Sequence, residues 1–187
     1  DTSSDLHTKL IAGLECDALI TSGGVSVGDR DLVLETLKQI GAEVRFWKVN
    51  IKPGMPFAFC LHLSGAKRPV PIFALPGNPV STMVTFLQLV RPALGAMRGL
   101  TEPQLPVHVQ ARLEEDYAKS DGKRHFARGV VRNKNNELLV RKSGSQSSGV
   151  LTSMSVANCL IVIPEHETML RAGSMVTIQL LGDSIGG

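Results

Sequence analysis

The hydrophobic period of the chain changes once, and that change limits what it can fold into. Up to Leu100 the apolar residues switch between helical and strand spacing; beyond Pro106 they recur almost only in short strand-like runs. Residues 4–15 place Leu6, Leu10, Ile11 and Leu14 on one helical face. Asp17 to Ser22 is a short apolar run that ends in glycines, as a buried parallel strand does. Leu32, Leu34, Leu37 and Ile40 predict a second helix over 31–40, with Gly41 as its C′ residue. A strand over 44–49 should point Val44, Phe46 and Val49 inward. Two more strands are expected at 57–63 and 70–75, and the longest helix over 80–97. Strands joined by helical crossovers give a sheet covered by helices.

Thr101-Glu102-Pro103-Gln104-Leu105-Pro106 reads as a linker. After it come strand-like runs at 107–113, 126–131, 138–141, 160–163 and 176–181, with a helical turn near 151–157. Turn signals such as Ser120-Asp121-Gly122 separate them, the pattern of a small all-β barrel or sandwich. With 187 residues the chain has room for two such pieces. The fold expected is α/β: a partial three-layer α/β domain of parallel-sheet type over 1–101, followed by a small all-β barrel over 102–187.

Composition excludes several classes of function. A net charge of +3, spread over both halves, is too small for a nucleic-acid binder, and one Trp and one Tyr make no stacking platform. No uninterrupted apolar run reaches the roughly 18 residues of a membrane helix. The opening segment is polar, with no basic n-region, so the expected location is cytoplasmic. Cys16, Cys60 and Cys159 are dispersed and form no C-x-x-C pair, so they read as buried core thiols rather than disulfides or a zinc site. His7, His62, His108, His125 and His166 show no zinc-ligand spacing, and His125 reads as an ordinary strand residue.

Two loops carry most of the chemistry. The first, Thr21-Ser22-Gly23-Gly24-Val25-Ser26-Val27-Gly28-Asp29-Arg30-Asp31, follows a strand and opens a helix. Its glycines let backbone approach a ligand, and helix-start N–H groups favour an anion. The same glycines would also serve a tight turn with no ligand. Neither the P-loop nor the Rossmann spacing is present. The second loop, Leu75-Pro76-Gly77-Asn78-Pro79-Val80-Ser81, places Asn78 as N-cap and Pro79 at N1. In a parallel sheet both loops open on the same edge, where ligands bind. Between them, Ile51-Lys52-Pro53-Gly54-Met55-Pro56 presents Lys52 from a turn stiffened by two prolines.

In this order the three segments resemble the molybdopterin molybdotransferases, the family of the bacterial MoeA proteins and the gephyrin E domain. Lys123-Arg124-His125-Phe126-Ala127-Arg128-Gly129 is similar to the family's barrel segment. Ser143-Gly144-Ser145-Gln146-Ser147-Ser148-Gly149 is similar to its serine-rich loop. The resemblance covers nearly the whole chain. It implies insertion of molybdate into adenylylated molybdopterin, releasing AMP and the molybdenum cofactor, with Mg2+ assisting. Under it, Ser22, Gly23, Gly24, Ser26, Gly28, Pro76, Gly77 and Asn78 would hold the pterin substrate's phosphate region. Asp31, with Asp29, would hold the metal, and Asp31 and Lys52 would be the catalytic residues. Lys52, Ser81, Arg128, Ser147 and Ser148 would contact molybdate, with Arg124 in reserve.

The sequence departs from the family in two ways. Many members carry a second lysine where Met55 stands, although gephyrin too is apolar there. Complete members are also considerably longer, with an N-terminal dimerising domain. The resemblance therefore implies a homodimer in the full-length protein and negligible activity for these 187 residues alone. Two other readings stay open: a gephyrin-type scaffold that anchors a partner, and the same-fold molybdopterin adenylyltransferase.

Overall fold

A computed structural model of the protein describes residues 3–24, 32–63, 68–101, 106–147 and 149–182. In chain order the first elements are α1 (Ser3–Gly13), β1 (Leu19–Ser22), α2 (Leu32–Gln39), β2 (Ala42–Trp47), β3 (Ile51–Lys52), β4 (Ala58–His62), β5 (Val70–Leu75) and α3 (Pro79–Thr85). A π turn over Phe86–Val90 and α4 (Arg91–Met97) follow. Then come β6 (His108–Leu113), β7 (Tyr117–Ala118), β8 (Arg124–Lys134), β9 (Glu137–Lys142), α5 (Thr152–Val156), β10 (Cys159–Ile163), β11 (Met169–Leu170) and β12 (Met175–Leu180). Two compact units result, one within 1–49 and 54–86, the other within 50–53 and 87–187.

The first unit is a four-stranded sheet in the order β1-β5-β4-β2. The expected parallel sheet is realised only between β1 and β5; β4 runs antiparallel to both β5 and β2. The reason is reach. Only a few residues separate β4 from β5, too few for the crossover that a parallel pair requires. Leu10 of α1 and Val33, Leu34 and Leu37 of α2 pack with Ala58, Cys60, Ile72 and Ala74 of the strands. Each such leucine contributes about 1.5–3 kcal/mol by leaving water. Phe46, Phe59 and Phe73 form a row across the sheet, with ring centroids 5.6 and 5.3 Å apart. Phe46 is nevertheless exposed rather than inward, because the register shifts between Val44 and Phe46 and the bulge breaks the alternation.

Asn78 caps the long helix as its sequence predicts: its side-chain oxygen accepts from the N–H groups of Val80 (3.1 Å) and Ser81 (3.3 Å). That helix runs unbroken over Pro79–Met97. Its π turn has a local cause. Pro92 has no N–H to give Gln88 and its ring would strike that carbonyl, so the backbone widens over this stretch. With 19 residues and a mean hydropathy of 1.2 the helix is long and apolar enough to span a bilayer. Val80, Val84 and Val90 are buried in the protein, while Met83, Phe86 and Met97 are exposed.

In the second unit β8, β9, β6, β12 and β10 close into a five-stranded barrel, because β10 pairs with both β12 and β8. Ala111, Leu113, Val131, Val140, Ile161, Ile163 and Ile178 fill it. Gly129 lets β10 approach β8: a Cβ there would stand 2.9 Å from both Cys159 Sγ and Ile161 Cγ1. Three short strands have no periodic signal in the sequence. β7 and β11 form a separate ribbon, and β3 adds in parallel to β8. The cysteines are free. Cys60 and Cys159 are buried as expected, but Cys16 is exposed in the turn after α1.

Candidate functional site

The glycine loops meet in the first unit. Because β1 and β5 are parallel neighbours, with Ser22 opposite Leu75, both loops leave the same edge of the sheet. The Gly23 N–H donates to Leu75 O at 3.0 Å, and a Cβ on Gly77 would lie 3.1 Å from Gly23 Cα. Backbone there touches backbone, which only glycines allow. Gly23 and Gly24 both adopt positive φ, at 95° and 72°. Ser22 and Gly77 are exposed, Pro76 and Ser81 buried, and Asn78 half-buried. Asn78 already takes the Val80 and Ser81 N–H groups, so these two donors of the helix start are committed to the cap. Ser26, Gly28, Asp29 and Asp31 lie outside the described residues.

The second unit holds Lys52, Arg128 and Ser147. Lys52 sits on β3 opposite His125 of β8, and its Nζ lies 3.1 Å from Asp121 Oδ2. Asp121 also accepts from His125 Nε2 at 2.8 and 3.0 Å and from the Lys123 N–H at 3.2 Å. His125 Nδ1 stands 2.9 Å from the Tyr117 hydroxyl. Desolvation works against ionising Asp121, but the hydrogen bonds from Lys52, His125 and Lys123 outweigh it and hold the carboxyl well below the usual range. Burial pulls His125 down, with Asp121 opposing. The neutral ring then donates from Nε2 to Asp121 and accepts the Tyr117 proton at Nδ1. Burial pushes the Tyr117 phenol up to about 12, so it stays a donor.

Arg128 is only 1% exposed. Its Nη2 donates to the carbonyls of Ser145 (3.0 Å) and Ser147 (2.9 Å), and its Nε to Ser153 Oγ (3.2 Å). Its backbone N–H donates to Gln146 Oε1 at 2.9 Å, and Gln146 Nε2 donates to Arg128 O at 3.2 Å. The serine-rich loop is therefore stitched to one buried guanidinium, which makes no ion pair among the described residues. Arg124, the reserve candidate, pairs with Glu165 at 3.1 Å on the surface. Ser148 lies outside the described residues. Asp121 and Gln146 lie in segments the sequence marks only as a turn and as the serine-rich loop, and no spacing signal marks Tyr117 or Ser153. Among the described residues no three His, Cys, Asp or Glu side chains cluster as a metal site.

A parallel-strand edge built for close backbone approach, followed by a five-stranded β-barrel, is the architecture on which the comparisons bear. Residues 1–96 match the family model of the probable molybdopterin binding domain, and residues 110–181 that of the MoeA C-terminal region (domain IV). The chain belongs to the molybdopterin-binding domain family, with a MoeA-type C-terminal region following. It is 36% identical over 188 residues to the molybdopterin molybdenumtransferase of Haemophilus influenzae, matching 100% of this chain and 45% of that protein. It is 36% identical over 197 residues to the gephyrin of Dictyostelium discoideum, matching 94% and 27%. The crystal structure of a molybdopterin biosynthesis MoeA protein from Pyrococcus horikoshii superposes with a TM-score of 0.74 at 25% identity, covering 98% of this chain and 42% of that one. The chain thus spans less than half the length of each of these relatives.

Proposed function

We propose that the protein carrying this chain inserts molybdate into adenylylated molybdopterin, releasing AMP. The observation that carries this reading is the meeting of Gly23 and Gly77 at one sheet edge, where the lack of side chains would let an anionic substrate approach both loops closely. Ser22, Gly23, Gly24, Ser26, Gly28, Pro76, Gly77 and Asn78 would cradle the substrate's phosphates. Lys52, Ser147 and Ser148 would bind the oxyanion, and Arg128, without an ion pair among the described residues, would shape the serine loop and add its charge there. Such a reaction asks the protein for positioning and charge rather than for a covalent nucleophile. Asp31, with Asp29, offers the hard carboxylate oxygens that Mg2+ takes, and the ion would supply charge neutralisation at the phosphates. A homodimer and a cytoplasmic location belong to the same proposal; three free thiols suit a reducing compartment.

The deciding assay supplies the full-length protein with adenylylated molybdopterin and molybdate and follows AMP. Capture of a protein partner without AMP release would favour a scaffold instead. Lys52→Ala is expected to weaken molybdate binding by about 1.5–3 kcal/mol, the range for a hydrogen bond to a charged group. Calorimetry that finds parental affinity would remove Lys52 from the site. Asp31→Asn keeps the shape and removes the charge a hard cation needs. AMP release should fall at low magnesium and recover in part at high magnesium. An unchanged magnesium dependence would return Asp31 to a helix-start role.

A further inference from the structure

The side chains behind Lys52 form a chain that the proposed reaction has not yet used. Its backbone is already placed: β3 pairs with β8, Asn50 O accepts the Arg124 N–H at 3.0 Å, and Asn50 Nδ2 donates to Gly122 O at 3.1 Å. Only the long Lys52 side chain retains freedom, and it is 56% exposed. Its carboxylate partner is the opposite kind of group. Asp121 is 27% exposed, and its position is set without Lys52 by the His125 ring and the Lys123 N–H. His125 is buried and fixed from behind by the Tyr117 hydroxyl.

An exposed Lys–Asp pair usually contributes little, because two floppy side chains must be held. Here one side chain is held in advance. The neighbouring cations are engaged elsewhere: Lys119 Nζ donates to the carbonyls of Lys123 and Glu165, and Arg124 pairs with Glu165. An ammonium has three donors, and Asp121 takes one.

We propose that Asp121, locked by His125, Tyr117 and the Lys123 amide, is the positioning residue of Lys52, holding its ammonium against the barrel so that its remaining N–H donors are presented to a tetrahedral oxyanion. This inference rests on Lys52 being an oxyanion ligand. Restricting the lysine before binding removes an ordering cost that the complex would otherwise bear. Asp121 itself touches no substrate in this arrangement.

The test separates geometry from charge. Asp121→Glu keeps the charge and shifts the carboxylate by one methylene. Molybdate affinity is measured calorimetrically in the full-length protein, in the parental and Lys52→Ala backgrounds, with unfolding curves as the control for folding. About tenfold weaker binding is expected in the parental background, from loss of the preset geometry, and no further loss with Lys52→Ala. His125→Ala should weaken binding in the same direction. His125→Gln, whose amide N–H can still reach Asp121, should restore much of it. This pair also serves if Asp121→Glu does not fold. An equal loss in both backgrounds, or no loss in the parental one, overturns the positioning role. If Lys52→Ala itself leaves affinity unchanged, the reading of Lys52 as a ligand fails and the positioning role falls with it. If Lys52→Ala weakens binding while the Asp121 and His125 variants do not, only the positioning role fails.

Discussion

Arg128→Ala is expected to destabilise the barrel unit by about 2–4 kcal/mol, because truncation opens a cavity and strips partners from buried acceptors. The guanidinium holds two loop carbonyls and the Ser153 hydroxyl from a position that is 1% exposed. For a unit of about this size the midpoint of thermal unfolding should drop by roughly 10–20 °C. Arg128→Met should cost less, since it fills the space with no charge to desolvate. Arg128→Lys keeps the charge but cannot span the same acceptors in one plane. If the loop geometry is what the oxyanion site needs, all three variants lose molybdate affinity, the methionine variant included. Thermal unfolding of Arg128→Ala within about 0.5 kcal/mol of the parent would show that the loop does not depend on this anchor.

Gly24→Ala should be the most damaging single-methyl change at the sheet edge, costing about 2–4 kcal/mol from two sources. The residue has φ of 72°, a region that an L side chain adopts only at a cost. The added Cβ would stand 2.4 Å from Val33 Cγ2, which is buried at the start of α2. Gly24 follows directly on Gly23, whose N–H is tied to Leu75 O, so the turn has little room to move away from Val33. Under the proposed function, affinity for the pterin substrate should fall with stability. Urea denaturation and substrate titration on the same sample would check both, and parental values in each would mean that the turn is far more compliant than its geometry indicates.

Gly41, beside these changes, shows how local signals succeed. Its φ of 85° follows α2, and a helix C′ residue needs no knowledge of the rest of the fold. The Asn78-Pro79 helix start and the strand over 70–75 are legible for the same reason. Phe46 faces solvent against the expectation from alternation because a bulge, which depends on how β2 and β4 pair, inverts its side. The antiparallel course of β4 is encoded in the shortness of its connection to β5, which the apolar pattern by itself does not convey.

The candidate site divides along the same line. Residue types at fixed offsets mark the glycine loops and Lys52 in the sequence alone, because backbone freedom, helix starts and charge are properties of short segments; Arg128 is marked only by the family resemblance. That Gly23 would lie against Gly77, that Lys52 would rest on Asp121 and His125, and that Arg128 would turn inward onto the serine loop were decided by strand pairing between distant segments. Asp121 is 69 residues from Lys52, and no local pattern sets their distance. Which charge is buried, which is exposed and which partner each finds depend on desolvation and packing, and these exist only once the sheet and the barrel have closed.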